Sequence, residues 1–90
     1  MNETGPRDLD LLRRNIRDPG EDLARMAAVL KAKRKALGLR LKDMADLLGI
    51  TYQSYQNYES GKAVPTLAHF IRLADLFDVS LEYLLGREKV

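Results

Sequence analysis

Apolar residues recur at helical spacing along most of the chain, and no segment alternates apolar and polar residues with the period of a strand. Upstream of residue 18, Leu9, Leu12 and Ile16 share one face of a short amphipathic segment. Downstream, the pattern divides at glycines and capping residues into five predicted helices, at 19–37, 40–48, 52–59, 67–77 and 81–85. The sequence therefore predicts an all-α fold of five compact helices preceded by a short helical arm.

The start of the first long helix is predicted from Asp18 as N-cap, Pro19 at the first helical position and Glu21 in a capping box. Gly38 is predicted to end it. One apolar face is expected to contain Leu23, Met26, Ala27, Leu30 and Leu37. Hydroxyl side chains are expected to cap the last three helices, at Thr51, Thr66 and Ser80.

Proline disfavours helical geometry at the residue before it, so the arm and the first long helix should not be continuous. This divides the chain into an arm at 1–17, a domain at 18–86 and a tail at 87–90.

The composition excludes several classes of function. With 46% hydrophobic and 31% charged residues, the chain is typical of a globular protein. It has no cysteine, and His69 is its only histidine, which we expect to be a surface or packing residue. Disulfides, thiol catalysis and a metal site are therefore not expected, and no enzyme activity or cofactor is predicted. No apolar run is long enough to span a membrane and no signal-peptide layout is present, so the sequence predicts a soluble, cytoplasmic protein.

Positive charge is concentrated in the middle of the chain. Residues 31–42 carry six basic side chains and no acidic one, although the net charge is only +2. Such a block is typical of proteins that bind polyanions. The alternative is that these cations complement a helix dipole and solvate its surface, and we favour this for Lys31, Lys33 and Lys35.

The segment 41–61 has the spacing of two short helices joined by a tight turn. Ala45 is small where the helices pack closely, and Gly49 suits the turn because its backbone is permissive. Ile50, Tyr55 and Tyr58 are then expected to face the core of the pair, with the two tyrosine hydroxyls reaching water or a partner at the edge of the domain. This is the spacing of a helix-turn-helix unit.

Over residues 30–85 the chain resembles the lambda-repressor-like (Xre-type) helix-turn-helix family. The residues that match at the family's spacing are Leu30, Arg34, Gly38, Leu39, Ala45, Gly49, Ile50, Thr51, Tyr58, Glu59, Gly61, Pro65, Thr66, Leu67, Leu73, Ala74, Val79, Ser80, Leu81, Leu84 and Leu85. The resemblance implies a five-helix fold in which helix 52–59 enters the major groove of DNA.

The outer side of that helix is expected to contact bases. Its polar side chains are neutral hydrogen-bonding groups, and glutamine or asparagine amides can pair with both N6 and N7 of adenine. The match makes Gln53 the first choice for a base contact, and the others are Tyr52, Gln56 and Asn57. Residues expected to contact the DNA backbone are Arg40, Lys42, Thr51, Ser54, Ser60 and Lys62.

The resemblance also implies a partly buried ion pair between Arg34 and Glu59, which makes Glu59 a structural residue. The chain departs from the family at the start of helix 40–48, where a threonine cap and a phosphate-binding glutamine are usual. Arg40 and Leu41 stand there. Because arginine cannot accept amide protons, we expect a weaker helix start. Because Leu41 lacks the glutamine's hydrogen bond and Arg40 would compensate with charge, we expect more salt-dependent DNA binding.

These inferences predict a homodimeric, sequence-specific DNA-binding regulator of bacterial or phage type that represses from an inverted-repeat operator in double-stranded DNA. The surface expected to form the dimer consists of Leu81, Tyr83, Leu85 and Arg87, and packing of the arm at 1–17 on a dimer mate is a second contribution left open by the sequence. The alternative is a protein-interaction module, such as an antitoxin, that binds a partner protein through the arm at Leu9, Leu11, Leu12 and Ile16.

Overall fold

The computed structural model describes residues 8–87, and these contain helices and connecting turns but no strand. The helices are α1 (Leu9–Asn15), α2 (Gly20–Ala36), α3 (Leu41–Leu48), α4 (Tyr52–Ser60), α5 (Leu67–Phe77) and α6 (Leu81–Leu84). The all-α fold predicted from the sequence is thereby confirmed. Residues 1–7 of the predicted arm and 88–90 of the predicted tail lie outside the described residues.

The predicted helix bounds agree with the structure to within one residue, and the start of α2 is the part that needs correction. Pro19, not Asp18, is the N-cap, and no side chain caps the helix there. The Asp18 carboxylate instead accepts a hydrogen bond from the amide of Gly20 at 3.0 Å. The expected capping box with Glu21 is therefore wrong, because Asp18 closes a turn before the helix.

Hydroxyl caps begin the three later helices as the sequence predicts. Thr51 accepts from the amide of Ser54, and Thr66 accepts from that of His69, each at 3.1 Å. Ser80 accepts from the amide of Tyr83 at 3.0 Å. Each bond satisfies an amide that has no partner inside its helix.

The core lies where α2 to α6 meet. Its largest fully buried side chains are Leu30, Met44, Tyr55, Leu73 and Leu84. Leu37 was predicted on the apolar face of α2, but it is exposed. It lies past the last helical residue of α2, where the chain turns toward Gly38.

The arm has a different environment. α1 has no buried residue, and Asp8 caps it by accepting from the amide of Leu11 at 2.9 Å. The molecule measures 55 × 29 × 21 Å with a radius of gyration of 16.9 Å, against about 12 Å for a compact chain of this length. α1 is thus an extension from a compact five-helix body. No helix among residues 8–87 combines the length and apolar content that crossing a bilayer requires.

Candidate nucleic-acid interface

The turn between α3 and α4 fixes the angle of the helix pair. Gly49 adopts a left-handed conformation with φ of +70°, and the amide of Ile50 bonds the carbonyl of Ala45 at 3.0 Å. Behind the turn, Tyr55 and Tyr58 are buried with their rings edge to face, 6.1 Å apart. Anchoring this face of α4 in the core leaves the opposite face outward.

The outward face of α4 carries the amides predicted to contact bases. Gln53 is exposed, and its Nε2 donates to Oδ1 of Asn57 at 3.0 Å, one helical turn away. Tyr52 is half exposed, whereas Gln56 and Asn57 are partly buried. The structure therefore joins Gln53 and Asn57 as one amide pair.

The hydroxyls expected to contact DNA backbone also bond within the chain. Thr51 donates to the Ser54 hydroxyl at 2.9 Å, and Ser60 donates to the carbonyl of Asn57 at 3.3 Å. Lys42 and Lys62 are exposed. The two lysines are the more available groups for a phosphate.

At the start of α3, Asp43 at the third helical position supplies the half of a capping box that does not depend on Arg40 as an acceptor. Its carboxylate accepts the amide of Arg40 at 2.8 Å and contacts the Arg40 guanidinium through Nη2 at 2.9 Å. The hydrogen bonds from the Arg40 side chain and amide lower the pKa of Asp43, and Asp43 raises the pKa of Arg40. This compensation was missed in the sequence, although an acid at the third helical position is its usual signal. Arg40 must also leave this carboxylate to reach a phosphate.

Asp43→Asn is expected to remove part of the acid sensitivity of folding. A carboxyl whose pKa is lowered in the folded state contributes stability above its unfolded pKa, near 3.8, which is lost as pH falls through the folded pKa. The free energy of unfolding measured in urea should therefore fall between neutral pH and about pH 3, and it should fall more for wild type than for the variant. Asp46→Asn, at an exposed position on the same helix, is the control, and an equal loss in all three proteins would contradict the role of Asp43.

The expected pair of Arg34 and Glu59 is present and nearly buried. Arg34 Nε and Nη2 donate to the two Glu59 oxygens at 2.8 and 3.0 Å, and the side chains are 11% and 6% exposed. Arg34 Nη1 also donates to the carbonyl of Leu39 at 2.9 Å. One guanidinium thus joins α2, the segment before α3, and α4. The bond to Glu59 raises the pKa of Arg34.

The two core tyrosines differ at their hydroxyls, which we expected to reach water or a partner. Tyr58 Oη lies 2.8 Å from His69 Nδ1, so His69 is a packing residue as predicted. The Tyr55 hydroxyl is buried with no well-formed hydrogen bond to any described residue. Burial, with the Glu59 carboxylate nearby, raises the pKa of Tyr55. The expectation is therefore wrong for Tyr55, which packs at the centre of the core.

Part of the basic block lies beside α4. Lys31 and Lys35 of α2, Leu41 of α3, and Gln56 and Ser60 of α4 line a groove of about 320 Å³. Lys31 and Lys35 thus share a surface with the outer side of α4, which the sequence did not indicate. The sequence could not place them there because helical spacing does not say which neighbour each side of α2 faces.

Lys33 is the exception to the solvated face predicted for these lysines. Its ammonium lies 4.9 Å from the centre of the Tyr83 ring, a cation–π contact. The Tyr83 ring is therefore in contact with a lysine of its own chain.

The residues expected at the dimer surface are partly exposed or already in contact with other residues of the same chain. Leu81 and Tyr83 are each 38% exposed, and Leu85 packs against the core. Arg87 Nη2 pairs with Oδ2 of Asp22 on α2 at 3.1 Å. The dimer role of this surface stays a prediction, and Arg87 has a partner in its own chain.

The chemistry of the described residues is that of a binding surface. No group of three histidines or carboxylates that could hold a metal ion occurs within residues 8–87. What the arrangement offers is a rigid helix with amide donors and acceptors outward and lysines around it. This is a surface able to read hydrogen-bonding edges and to neutralise phosphates.

Comparison with known proteins agrees with this geometry. A helix-turn-helix family model matches residues 30–84. The chain is 40% identical over 58 residues to the cryptic phage CTXphi transcriptional repressor RstR of Vibrio cholerae, which covers 64% of this chain and 52% of that protein. It is 50% identical over 56 residues to the HTH-type transcriptional regulator AnsR of Bacillus subtilis, covering 62% and 48%.

The chain spans about half the length of the curated relatives it matches. No solved structure gives a significant match. The matched segment begins at Leu30 and ends at Leu84, so it contains the end of α2 and all of α3, α4, α5 and α6, and it excludes α1. On the match over residues 30–84, the chain belongs to the helix-turn-helix family, in the lambda-repressor-like (Xre-type) form that its sequence resembles.

Proposed function

We propose that the protein is a sequence-specific DNA-binding transcriptional regulator that represses by binding an inverted-repeat operator as a homodimer. The observation that carries the proposal is the outward amide pair of Gln53 and Asn57 on a helix anchored from behind by two buried tyrosines. The names of the relatives support it, since they are transcriptional regulators and a phage repressor. Catalysis and cofactors are not part of the proposal, and the place of action is the cytoplasm, with the DNA.

We assign the contacts with DNA bases to side chains of α4. A glutamine or asparagine amide offers one donor and one acceptor side by side, which matches N7 and N6 of adenine in the major groove. The bond between Gln53 and Asn57 holds the Gln53 amide in one orientation before DNA arrives. Tyr52, at the N-terminal end of α4, adds an aromatic ring for a neighbouring base. Gln56 is partly buried and lines the basic groove.

We assign the contacts that position the protein on the DNA duplex to lysines around α4. Lys42 precedes α4 on α3, Lys62 follows it, and Lys31 and Lys35 border the groove at its outer side. Such contacts fix orientation without carrying sequence information. The hydroxyls of Thr51 and Ser60 can take this role only by exchanging the bonds that they now donate within the chain, whereas the Ser54 hydroxyl accepts from Thr51 and still has its own hydrogen to donate.

Lys42→Ala is expected to weaken binding equally on specific and random DNA. Removing one phosphate contact releases one counterion fewer, so the slope of log affinity against log salt should fall in magnitude by about 1. Fluorescence anisotropy over a salt series measures it. Arg72→Ala removes an exposed cation of α5, outside the helix-turn-helix, and should leave the slope unchanged. A loss confined to the specific site would contradict the assignment.

Selection from a random duplex pool at near-physiological salt tests the whole proposal. Enrichment of an inverted repeat with half-sites about 10–10.5 base pairs apart, or a multiple, would support a dimeric regulator. Reporter transcription from that sequence then separates repression from activation. Weak, salt-sensitive binding without enrichment would overturn the proposal. It would favour the alternative of a protein-interaction module, for which the exposed apolar face of α1 is the supporting observation.

A further inference from the structure

The arm helix α1 lacks the contacts that such a short helix needs. It has seven residues, whereas isolated helices shorter than about 12–15 residues are marginal in water. Its apolar residues are 50–78% exposed, at Leu9, Leu11, Leu12 and Ile16. A helix of this kind gains stability by laying its apolar face on another surface.

The body of the molecule has an open apolar groove. It has a volume of about 220 Å³ between α2, the start of α5 and the end of α6, and all its lining side chains are apolar. Of its lining residues, Met26, Pro65 and Phe70 are buried, whereas Leu23, Leu67 and Leu85 are partly or fully exposed. Leu67 is 71% exposed although it begins a core helix. A void of about 150 Å³ takes a benzene-sized group, so this groove has room for aliphatic side chains.

The linker explains why α1 does not cover the groove of its own chain. Ile16 is extended, Pro19 has its φ fixed at −77°, and the Asp18 carboxylate closes a turn onto the amide of Gly20. Three of the four linker residues are constrained in this way, so the linker favours a position of α1 away from the body. A short stiff linker of this kind favours a contact with another copy over a contact within one chain.

The dimer in the proposed function needs this additional area. A stable interface buries about 800 Å² on each partner. Leu81 and Tyr83 offer only partly exposed side chains, and Arg87 is paired within its chain. Leu85 lies both on the expected dimer surface and in the groove, so the two surfaces are continuous.

We propose that α1 of one copy docks in the apolar groove of a second copy, and that the exchange is reciprocal. This inference rests on the homodimer in the proposed function and names the element that holds it together. Two-fold symmetry gives each copy one helix to donate and one groove to fill, so the assembly closes at two copies.

The absence of cysteine from the chain allows a direct test. We would mix a tagged Leu12→Cys variant with untagged Leu67→Cys, oxidise with glutathione disulfide and measure the mixed dimer by mass. The exchanged arm should give at least about ten times more mixed dimer than a Leu47→Cys and Leu67→Cys mixture, since a docked pair has a high effective concentration. Leu47 is exposed to a similar extent, at 60%. Equal yields would overturn the proposal. So would an intramolecular disulfide in a dilute Leu12→Cys/Leu67→Cys double variant, because it would place α1 on its own groove.

Sedimentation equilibrium without DNA gives the second readout. Leu12→Asp should weaken the dimer by about a hundredfold, since each of two equivalent contacts loses about tenfold, whereas Leu47→Asp should leave it unchanged. Urea unfolding of both variants checks that the body is intact. A monomeric wild type, or a Leu12→Asp dimer as tight as wild type, would overturn the exchange. In the latter case the dimeric regulator could still stand, because operator selection tests it separately.

Discussion

Glu59→Ala is expected to lower the free energy of unfolding by about 3–5 kcal/mol, because it leaves the Arg34 guanidinium buried without its counter-charge. Both side chains are nearly covered, and two of the guanidinium donors lose their acceptors at once. α4 would also lose its tie to α2. Urea unfolding followed by circular dichroism measures the change, with an accompanying loss of DNA binding.

The control for this prediction is a second ion pair that is exposed. Asp10→Ala breaks the bond between Asp10 and Arg13 on α1, where the side chains are 81% and 71% exposed. Surface pairs contribute about 0–1 kcal/mol, so this variant should unfold almost as wild type does. Similar losses in the two variants would mean that the Arg34–Glu59 pair does not hold α4 in place.

Gln53→Ala is expected to cost about 1–3 kcal/mol of affinity on the selected operator and to relax discrimination at one base position. The variant removes the amide that can pair with adenine and leaves every phosphate contact in place. Binding to random duplex should therefore change little. Anisotropy titrations on the operator, on each single-base variant of it and on random DNA measure the effect.

The matched control is Asn15→Ala, which removes an exposed amide at the end of α1, outside the helix-turn-helix. It should bind operator and random DNA as wild type does. If Gln53→Ala lost affinity equally on both DNAs, Gln53 would be a backbone contact and the reading of bases would have to be reassigned.

The helices could be predicted closely from the sequence because two independent signals coincide at their ends. Apolar spacing sets the length of each, and a hydroxyl cap or a glycine marks the boundary, as Thr66 does for α5 and Gly49 for α3. At the start of α2 the signals compete. Asp18 can cap a helix or close a turn before it, and the sequence does not say which.

The outward face of α4 was also predictable, because burying Tyr55 and Tyr58 determines by helical geometry where Gln53 points. Pairings between distant side chains were not. That Lys33 meets the Tyr83 ring and that Arg87 reaches Asp22 depends on how α6 folds back over α2. Apolar periodicity shows which face of a helix is buried, but it does not show which charged side chains meet at the edge of that face.

The guanidinium of Arg34 limits the substitutions that positions 34 and 59 can accept. Its three bonds, two to Glu59 and one to the carbonyl of Leu39, use a planar fork of donors that an ammonium group does not possess. Lysine at position 34 would keep the charge and lose the geometry. Over evolutionary time positions 34 and 59 are therefore free to change together but not singly. A double substitution that exchanges both residues for apolar ones of similar volume is expected to destabilise the fold less than either single change.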